Sequence, residues 1–242
     1  MKIIFSPSKT MKLKNIDFTS SKELLFPEKT DFLIKKLQNL STKDIEKLFK
    51  LKGDLLENTY NNFQNFDSLN TYFSLSLYDG VTFRQLELEK YKKDELNYLE
   101  NNLIIFSALY GALSPNTKIK PYRLDMTINF LEESLYKFWS KDINSYLEKY
   151  SSELFINLAS KEFSKILEYK KYNVIDIEFR QLVDGKLKNI STEGKKARGM
   201  MLNYMTLNHI NDVEKIKEFS ENGYQFSLEN SSNNKLFFIK FS

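Results

Sequence analysis

The segment at residues 2–10, KIIFSPSKT, decides the fold, because an apolar run ends there abruptly in a polar turn. The same change recurs at residues 103–111, LIIFSALYG, and at residues 154–162, LFINLASKE. Short apolar runs without alternation are typical of strands covered on both faces, as in parallel or mixed sheets. Ligands of such sheets bind beyond the carboxyl ends of the strands. If the three strands are neighbours, their polar exits converge on one crevice, although small polar residues also simply end strands.

Composition narrows the possible chemistry. The 242 residues carry 36 Lys and Arg against 32 Asp and Glu, a net charge of +4 that permits a polyanionic partner without requiring one. The absence of Cys excludes disulfides, thiolate nucleophiles, iron–sulfur clusters and cysteine-zinc sites. With His209 as the single histidine, imidazole-rich metal sites are excluded. His209 is expected in the last turn of a helix, where a histidine interacts favourably with the helix dipole. We therefore expect no metal and no cofactor.

Nothing in the sequence directs the chain to a membrane. The opening residues do not resemble a signal peptide, and no uninterrupted apolar stretch reaches the roughly 18 residues of a spanning helix. We expect a cytoplasmic protein with no membrane partner, and a monomer is the favoured oligomeric state.

Periodicity and turn residues predict an α/β (mixed α+β) fold, with one domain over residues 1–242 and a mixed β-sheet wrapped by helices. Helical patterns cover residues 22–65, 69–99, 131–150 and 199–211. Strand patterns begin at residue 173, continue after the Asp184-Gly185 turn as a hairpin partner at residues 187–192, and return at residues 235–241.

A helix-hairpin-helix-like element is predicted at about residues 41–65. Ser41, with Asp44 three residues later, is typical of a helix start, and Lys52-Gly53 joins one short helix to the next. In DNA-binding hairpins such a turn holds a phosphate, with glycine letting the backbone approach a neighbour. A plain packing corner between two helices explains the same residues.

Two basic turns are the strongest candidate phosphate sites. The segment at residues 193–199, EGKKARG, is expected just before a helix, where cations oppose the helix dipole unless an anion is held. The segment at residues 121–125, PYRLD, offers Arg123 as a fork for phosphate and Tyr122 as a stacking face for a base. A solvated lysine run and an internal Arg123–Asp125 ion pair are the alternatives.

The residues singled out so far resemble the YaaA peroxide-stress family. The resemblance covers nearly the whole chain and rests on motifs that occur in the family's order: Ser6-Pro7-Ser8-Lys9-Thr10, Ser107-Ala108-Leu109-Tyr110-Gly111 with Pro115, Pro121-Tyr122-Arg123-Leu124-Asp125-Met126, Phe138-Trp139, Asn157-Leu158-Ala159-Ser160-Lys161-Glu162, Lys195-Lys196-Ala197-Arg198-Gly199 and Gly223-Tyr224.

The resemblance implies a single-domain cytosolic protein with a helix-hairpin-helix element and a positively charged cleft for double-stranded DNA. It also implies a role in the oxidative stress response, protecting DNA by keeping free intracellular iron low. The chain departs from the family at Ser8, where many members have alanine, and at residues 78–83, so no role is carried onto Asp79.

The leading hypothesis is a DNA-binding peroxide-stress protein that contacts the phosphates of duplex DNA without reading its bases. The runner-up is an enzyme acting on a nucleotide or a damaged base, with Lys9 or a cleft carboxylate such as Asp125 as the reactive group. An iron-sequestering protein is a third class, but the clustered carboxylates or histidines that it needs are missing, so we expect no tight iron site. The predicted nucleic-acid- or phosphate-binding residues are Ser6, Ser8, Lys9, Lys52, Gly53, Ser107, Tyr122, Arg123, Asn157, Ser160, Lys195, Lys196 and Arg198.

A geometric expectation tests the convergence directly. Residues from the three strand exits and the two basic turns should border one electropositive pocket, with Lys9 partly buried and with Asp125 and Glu162 near its rim as ion-pair partners. The residues expected around this pocket are Ser6, Lys9, Ser107, Arg123, Asn157, Ser160 and Lys196.

Overall fold

The computed structural model describes residues 1–16 and 18–241. The strands within these residues are β1 (Lys2–Phe5), β2 (Tyr72–Phe73), β3 (Leu103–Ser107), β4 (Gly111–Leu113), β5 (Lys118–Ile119), β6 (Leu154–Asn157), β7 (Asn173–Val183), β8 (Lys186–Lys188), β9 (Tyr224–Ser232) and β10 (Lys235–Phe241). The helices are α1 (Pro27–Gln38), α2 (Thr42–Phe49), α3 (Gly53–Gln64), α4 (Ser74–Leu77), α5 (Lys93–Asn102), α6 (Leu135–Glu148), α7 (Lys161–Ser164), α8 (Ser191–Leu207) and α9 (Val213–Lys217).

The three apolar runs are neighbouring parallel strands, as the sequence predicts. β1 lies between β3 and β6, and Ile4 pairs with Ile104 on one side and with Asn157 on the other. The main sheet has the order β4-β3-β1-β6-β7-β10-β9, with β8 paired to β7. β4, β8 and β9 are antiparallel to their partners, so the sheet is mixed and the predicted α/β class is confirmed.

The central strands lack alternation because both of their faces are covered. Ile3, Ile4 and Phe5 of β1 are fully buried, and every residue of β3 is buried. This burial explains why apolar residues follow one another without a polar face. Because β1 is parallel to both β3 and β6, the carboxyl ends of these three strands lie together at one end of the sheet.

Two short helices, α2 and α3, occupy the region of the predicted hairpin element, but a helix-hairpin-helix element is not confirmed. Ser41 forms a capping box with Asp44 at the start of α2, and residues 50–52 connect α2 to α3. Gly53 has a positive φ of 55°, but a Cβ at Gly53 would meet open space. The expectation that Gly53 lets the backbone approach a neighbour is therefore wrong, since the glycine serves only the left-handed backbone conformation. A helix-hairpin-helix function for this element stays a prediction.

The basic segment lies inside a helix rather than before one. α8 begins at Ser191 instead of at Gly199, and the hairpin partner β8 is limited to Lys186–Lys188 instead of residues 187–192. Gly194 and Gly199 suggested a turn, but Gly199 is buried in the helix against Thr82, so tertiary packing outweighs the low helix propensity of glycine. The argument that these cations oppose the amino end of a helix is correspondingly weakened.

The predicted helical region at residues 69–99 is also divided. The chain forms β2, the short α4 and two 3₁₀ turns before α5 begins at Lys93. Residues near Gly80 instead pack against the loop after β1, and a Cβ at Gly80 would lie only 2.3 Å from the Ser8 Oγ. β9 was not predicted, because its mostly polar sequence lies at the edge of the sheet with one side unpaired. No helix in the described residues is long and apolar enough to cross a membrane.

Candidate functional site

A pocket of about 340 Å³ lies where β1 and β6 end. Its walls come from the loop after β1, the segment around Gly80, the loop at residues 122–125, the start of α7 and the first half of α8. The residues that line it are Phe5, Ser6, Pro7, Ser8, Lys9, Thr10, Gly80, Val81, Thr82, Phe83, Tyr122, Arg123, Leu124, Asp125, Leu158, Ser160, Glu162, Phe163, Lys195 and Arg198.

Hydrogen bonds join the exits of β1 and β6 directly. The Ser160 backbone N–H donates to the Ser6 Oγ at 2.8 Å, and the Ser6 hydroxyl lies 3.3 Å from the Ser160 Oγ. Ser8 closes its own turn by accepting from the Thr10 N–H at 3.1 Å. The hydroxyls after the two strands therefore converge on one pocket, although Ser6 and Ser160 are far apart in sequence.

Lys9 and Asp125 form an ion pair across the pocket. The Lys9 Nζ lies 2.6 Å from the Asp125 Oδ2, and the Lys9 side chain is 52% exposed. Lys9 is thus exposed rather than partly buried, because its loop lies at the mouth of the pocket. The alternative Arg123–Asp125 pair is replaced by this contact, and the Arg123 Nη1 instead donates to the Lys9 carbonyl at 3.3 Å.

Glu162 lies in the pocket wall, as expected, but its expected ion pair is not formed with any of the described residues. Its Oε1 accepts the Met126 N–H at 3.2 Å, which ties α7 to the loop at residues 122–125. Burial raises the pKa of Glu162, and the nearby Asp125 carboxylate raises it further against the opposing effects of Lys9 and Lys195. The pocket therefore holds two carboxylates in different environments, one ion-paired and one partly desolvated.

Arg198 is a half-buried cation of the pocket, with its Nε buried. Its Nε has no hydrogen-bond partner among residues 1–16 and 18–241, and burial is the main cause that lowers its pKa. The nearby Glu178 carboxylate is engaged by Arg180 at 2.7 Å. A buried guanidinium N–H without a partner is unfavourable, and an anion in the pocket would relieve that condition.

Ser107 and Tyr122 are structural rather than exposed to a ligand. The Ser107 Oγ lies 2.7 Å from the Tyr122 hydroxyl, and Tyr122 in turn lies 2.9 Å from the Tyr78 hydroxyl. Burial raises the pKa of Tyr122 to about 12. Ser107 does not line the pocket, so its expected placement there is wrong. Tyr122 lines the pocket from a buried position, and its stacking role stays a prediction. Both face inward because their hydroxyls satisfy each other in the core.

Asn157 and Lys196 also lie outside the pocket. Asn157 donates to the Asp176 Oδ1 at 2.7 Å and to the Tyr169 hydroxyl at 3.0 Å, which holds β6 to β7. Lys196 lies 2.8 Å from Glu193, one turn earlier on α8. The expected placement of both residues at the pocket is wrong. Asn157 is engaged between β6 and β7, and on α8 neighbouring residues face different sides of the helix, so that Lys195 faces the pocket and Lys196 does not.

Lys52 and Gly53 belong to another surface. Lys52 borders a shallow depression with Lys43, Glu46, Lys47, Lys50 and Leu51, and none of these residues lines the pocket. This basic surface of α2 and the residues up to Lys52 is separate from the site at the strand ends.

Sequence reasoning did not identify the segment around Gly80 as part of the site. Thr82 and Val81 line the pocket, and the preceding Asp79 is buried between Lys14 at 3.2 Å and Arg84 at 2.9 Å. Burial alone would raise the pKa of Asp79, but hydrogen bonds from Arg84 and Lys14 outweigh it and lower the pKa. The Asp79-Gly80 pair was the available signal, since a carboxylate beside a glycine is typical of a tight functional turn.

Comparison with known proteins is decisive for the family. A family model described as peroxide stress protein YaaA matches residues 1–230. The chain belongs to this family. The resemblance drawn from the ordered motifs is thereby confirmed, and with it membership of a peroxide-stress family.

Relatives of the YaaA-family chain are similar over their full length. A UPF0246 protein of Fusobacterium nucleatum is 44% identical, with 99% of each chain covered. A UPF0246 protein of Legionella pneumophila is 39% identical, with 99% of each chain covered, and one of Crocosphaera subtropica is 35% identical, with 99% of this chain and 100% of the relative covered. These proteins carry no activity in their names, so the chemistry of the site must be argued from its geometry.

No group of three or more His, Asp or Glu side chains in the described part of the chain is arranged to hold a metal ion. Asp125 and Glu162 are the carboxylates of the pocket, and Asp125 is already paired with Lys9. The arrangement suits the binding of an anion better than the binding of a cation.

Proposed function

We propose that this protein binds double-stranded DNA without sequence specificity as part of the peroxide stress response. The observation that carries the proposal is the set of four cations in one pocket at the strand ends: Lys9, Arg123, Lys195 and Arg198. Cations around one concave site suit contacts to phosphates, which supply most of the affinity of non-specific DNA binding. Because Lys9 is paired with Asp125, Arg123 and Lys195 are the pocket cations best placed to meet a DNA backbone.

The proposal includes protection of DNA from oxidative damage and a lower level of free intracellular iron. Its support is family membership, and the absence of a metal-holding cluster among the described residues favours an indirect effect on iron over storage by this chain. Covering DNA would also keep reactive oxygen species away from the backbone that the protein contacts.

Binding to a duplex should fall steeply with salt. We expect Lys195→Gln to weaken duplex binding and to reduce the slope of log K against log salt by about one unit, because one phosphate contact is lost. Lys196→Gln is the matched control, since Lys196 neighbours Lys195 on α8 but pairs with Glu193 outside the pocket. Fluorescence anisotropy with a labelled duplex at several salt concentrations measures both. Equal slopes for Lys195→Gln and the wild type would rule out the pocket as the DNA contact.

A second candidate function is an enzyme acting on a nucleotide or a damaged base. Asp125 and Glu162 favour it, because two carboxylates in unlike environments are typical of acid–base pairs. Lys9 is a weaker nucleophile candidate, since its ion pair with Asp125 would have to break before its amine could attack a carbonyl. Borohydride trapping on abasic DNA tests this version, and a covalent adduct that disappears in Lys9→Arg would establish it.

A further inference from the structure

The pocket is much smaller than a duplex. At about 340 Å³ it lies at the low end of the roughly 300–1,000 Å³ typical of small-molecule sites, whereas the major groove of DNA alone is about 12 Å wide. Duplex binding therefore leaves the interior of the pocket unexplained. That interior contains the buried Nε of Arg198, which a surface contact to a DNA backbone does not require.

The pocket has two kinds of lining. It includes cationic side chains, and it also includes hydroxyls and buried apolar side chains, the latter here called the floor. The hydroxyl-bearing residues are Ser6, Ser8, Thr10, Thr82 and Ser160, and the floor is Phe5, Phe83, Leu158 and Phe163. A ligand that matches both kinds of lining has a strongly anionic group at one end. The rest of such a ligand has a sugar-like polar edge and a flat apolar face.

The charge of the pocket matches a doubly charged anion. Four cations against two carboxylates leave a formal excess of two positive charges. A phosphate monoester carries about −1.5 to −2 at pH 7, whereas a phosphodiester within a strand carries one negative charge. The monoester therefore complements the pocket better than an internal phosphate of DNA.

We propose that this pocket binds the phosphomonoester of a nucleotide, supplied by a free mononucleotide or by the phosphorylated end of a DNA strand. Arg198 and Lys195 contact the phosphate, with the Arg198 Nε gaining the hydrogen bond that it lacks within the described chain. The Ser6 side of the pocket holds the sugar, and the apolar floor meets the base. The inference rests on the proposed phosphate-binding function and narrows it to one kind of phosphate.

Isothermal titration calorimetry with deoxyadenosine 5′-monophosphate tests the ligand class. We expect the monophosphate to bind at least about tenfold more tightly than deoxyadenosine or inorganic phosphate. Deoxyadenosine lacks the phosphate, and inorganic phosphate lacks the sugar and the base. Affinity for deoxyadenosine equal to that for the monophosphate overturns the phosphate contact. Affinity for inorganic phosphate equal to that for the monophosphate overturns the nucleotide assignment.

Variants then assign the contact to named side chains. Arg198→Gln and Lys195→Gln should each weaken binding of the monophosphate at least about tenfold, while Lys215→Gln should leave it unchanged, since Lys215 pairs with Glu218 and does not line the pocket. Because Arg198 is half-buried, its variant is used only if its circular dichroism matches that of the wild type. Otherwise the variant of the exposed Lys195 tests the assignment. Wild-type affinity in a folded Lys195→Gln protein overturns the assignment.

The choice of DNA distinguishes binding to strand ends from binding to free nucleotides and from binding to the duplex. A hairpin oligonucleotide with a 5′-phosphate is compared with the same hairpin ending in a hydroxyl, and a closed dumbbell supplies duplex without ends. Tighter binding of the phosphorylated hairpin identifies strand ends as a source, and binding of the mononucleotide alone identifies the free nucleotide. A dumbbell that does not bind overturns the duplex proposal alone, whereas a dumbbell that binds with no response to either monoester overturns this inference alone.

Discussion

Gly199 of α8 lies directly against the carbonyl oxygen of Thr82. A Cβ at position 199 would lie 2.0 Å from that oxygen and 2.9 Å from the Gln85 Cβ, distances that no side chain tolerates without movement of the backbone. The contact joins α8 to the segment that lines the pocket through Thr82. The last glycine of the basic motif therefore sets the position of the helix that carries Arg198 and Lys195.

Gly199→Ala should accordingly destabilise the protein and weaken phosphate binding. We expect a loss of about 1–3 kcal/mol in the free energy of unfolding, because the methyl group forces α8 away from Thr82. Gly194→Ala is the matched control on the same helix. A Cβ there makes only ordinary contacts, 3.6 Å to Asn189 Oδ1 being the shortest, so the variant should be neutral or more stable by about 0.5–1 kcal/mol. Urea unfolding measures both, and equal effects of the two substitutions would contradict the close-approach argument.

Tyr122→Phe should reduce stability and spare DNA binding. The variant removes the hydroxyl that lies between Ser107 at 2.7 Å and Tyr78 at 2.9 Å, leaving buried polar groups short of a partner at a loss of about 1–3 kcal/mol. The phenyl ring remains in place, so the shape of the pocket is kept. Thermal unfolding and duplex anisotropy are measured on the same samples. Weakened DNA binding with unchanged stability would restore a direct ligand role for Tyr122.

The basic surface beside α2 and the pocket should contribute to DNA binding independently if one duplex contacts both. We expect Lys52→Gln and Lys195→Gln each to reduce the salt slope by about one unit, and the double variant by about two. The two residues lie in separate depressions, so their effects should add. A wild-type slope for Lys52→Gln would show that the predicted hairpin element is a packing corner.

The pH dependence of stability should reveal the environment of Glu162. Burial and the Asp125 carboxylate raise its pKa, so the folded protein holds this proton to higher pH than the unfolded chain. The free energy of unfolding therefore falls as pH rises from the usual glutamate value of 4.5 through the folded pKa. Glu162→Gln removes this fall, and its stability relative to the wild type should improve as pH rises from about 4.5 through the folded pKa. Denaturant unfolding across this range measures the difference, which should not vary with pH if Glu162 is solvated.

Asp79 supplies the control of opposite sign. Burial alone would raise its pKa, but Arg84 and Lys14 lower it overall, so its stabilising contribution is present above the usual aspartate value of 3.8 and is lost as pH falls through the folded pKa. The deficit of Asp79→Asn should be largest near neutral pH and should shrink in acid, the reverse of the Glu162→Gln trend.

The sequence predicted the centre of the fold better than its periphery. The runs at residues 2–5, 103–106 and 154–158 were recognisable because burial on both faces leaves a continuous apolar signal, and the capping box at Ser41 is a local pattern. The start of α8 was misplaced because Gly194 and Gly199 are typical of turns, and only the approach of a distant carbonyl explains a glycine inside the helix. Local patterns do not contain that information.

The same distinction applies to the site. The convergence of Ser6 with Ser160 followed from strand order, whereas the inward hydroxyls of Ser107 and Tyr122 depended on a partner, Tyr78, in another segment. On α8, the difference between Lys195 and Lys196 depends on the exact rotation of the helix, which the misplaced helix start concealed.

The position of β1 between β3 and β6 also constrains how the protein is made. β1 leaves the ribosome before both of its partners: it has none until residues 103–107 follow, and its second partner ends at Asn157. At about 5–20 residues per second of synthesis, β1 waits on the order of ten seconds with both edges open. A nascent chain that stops before β6 lacks the Ser160 side of the pocket, so ligand capture by ribosome-bound chains should begin only after most of the message has been translated.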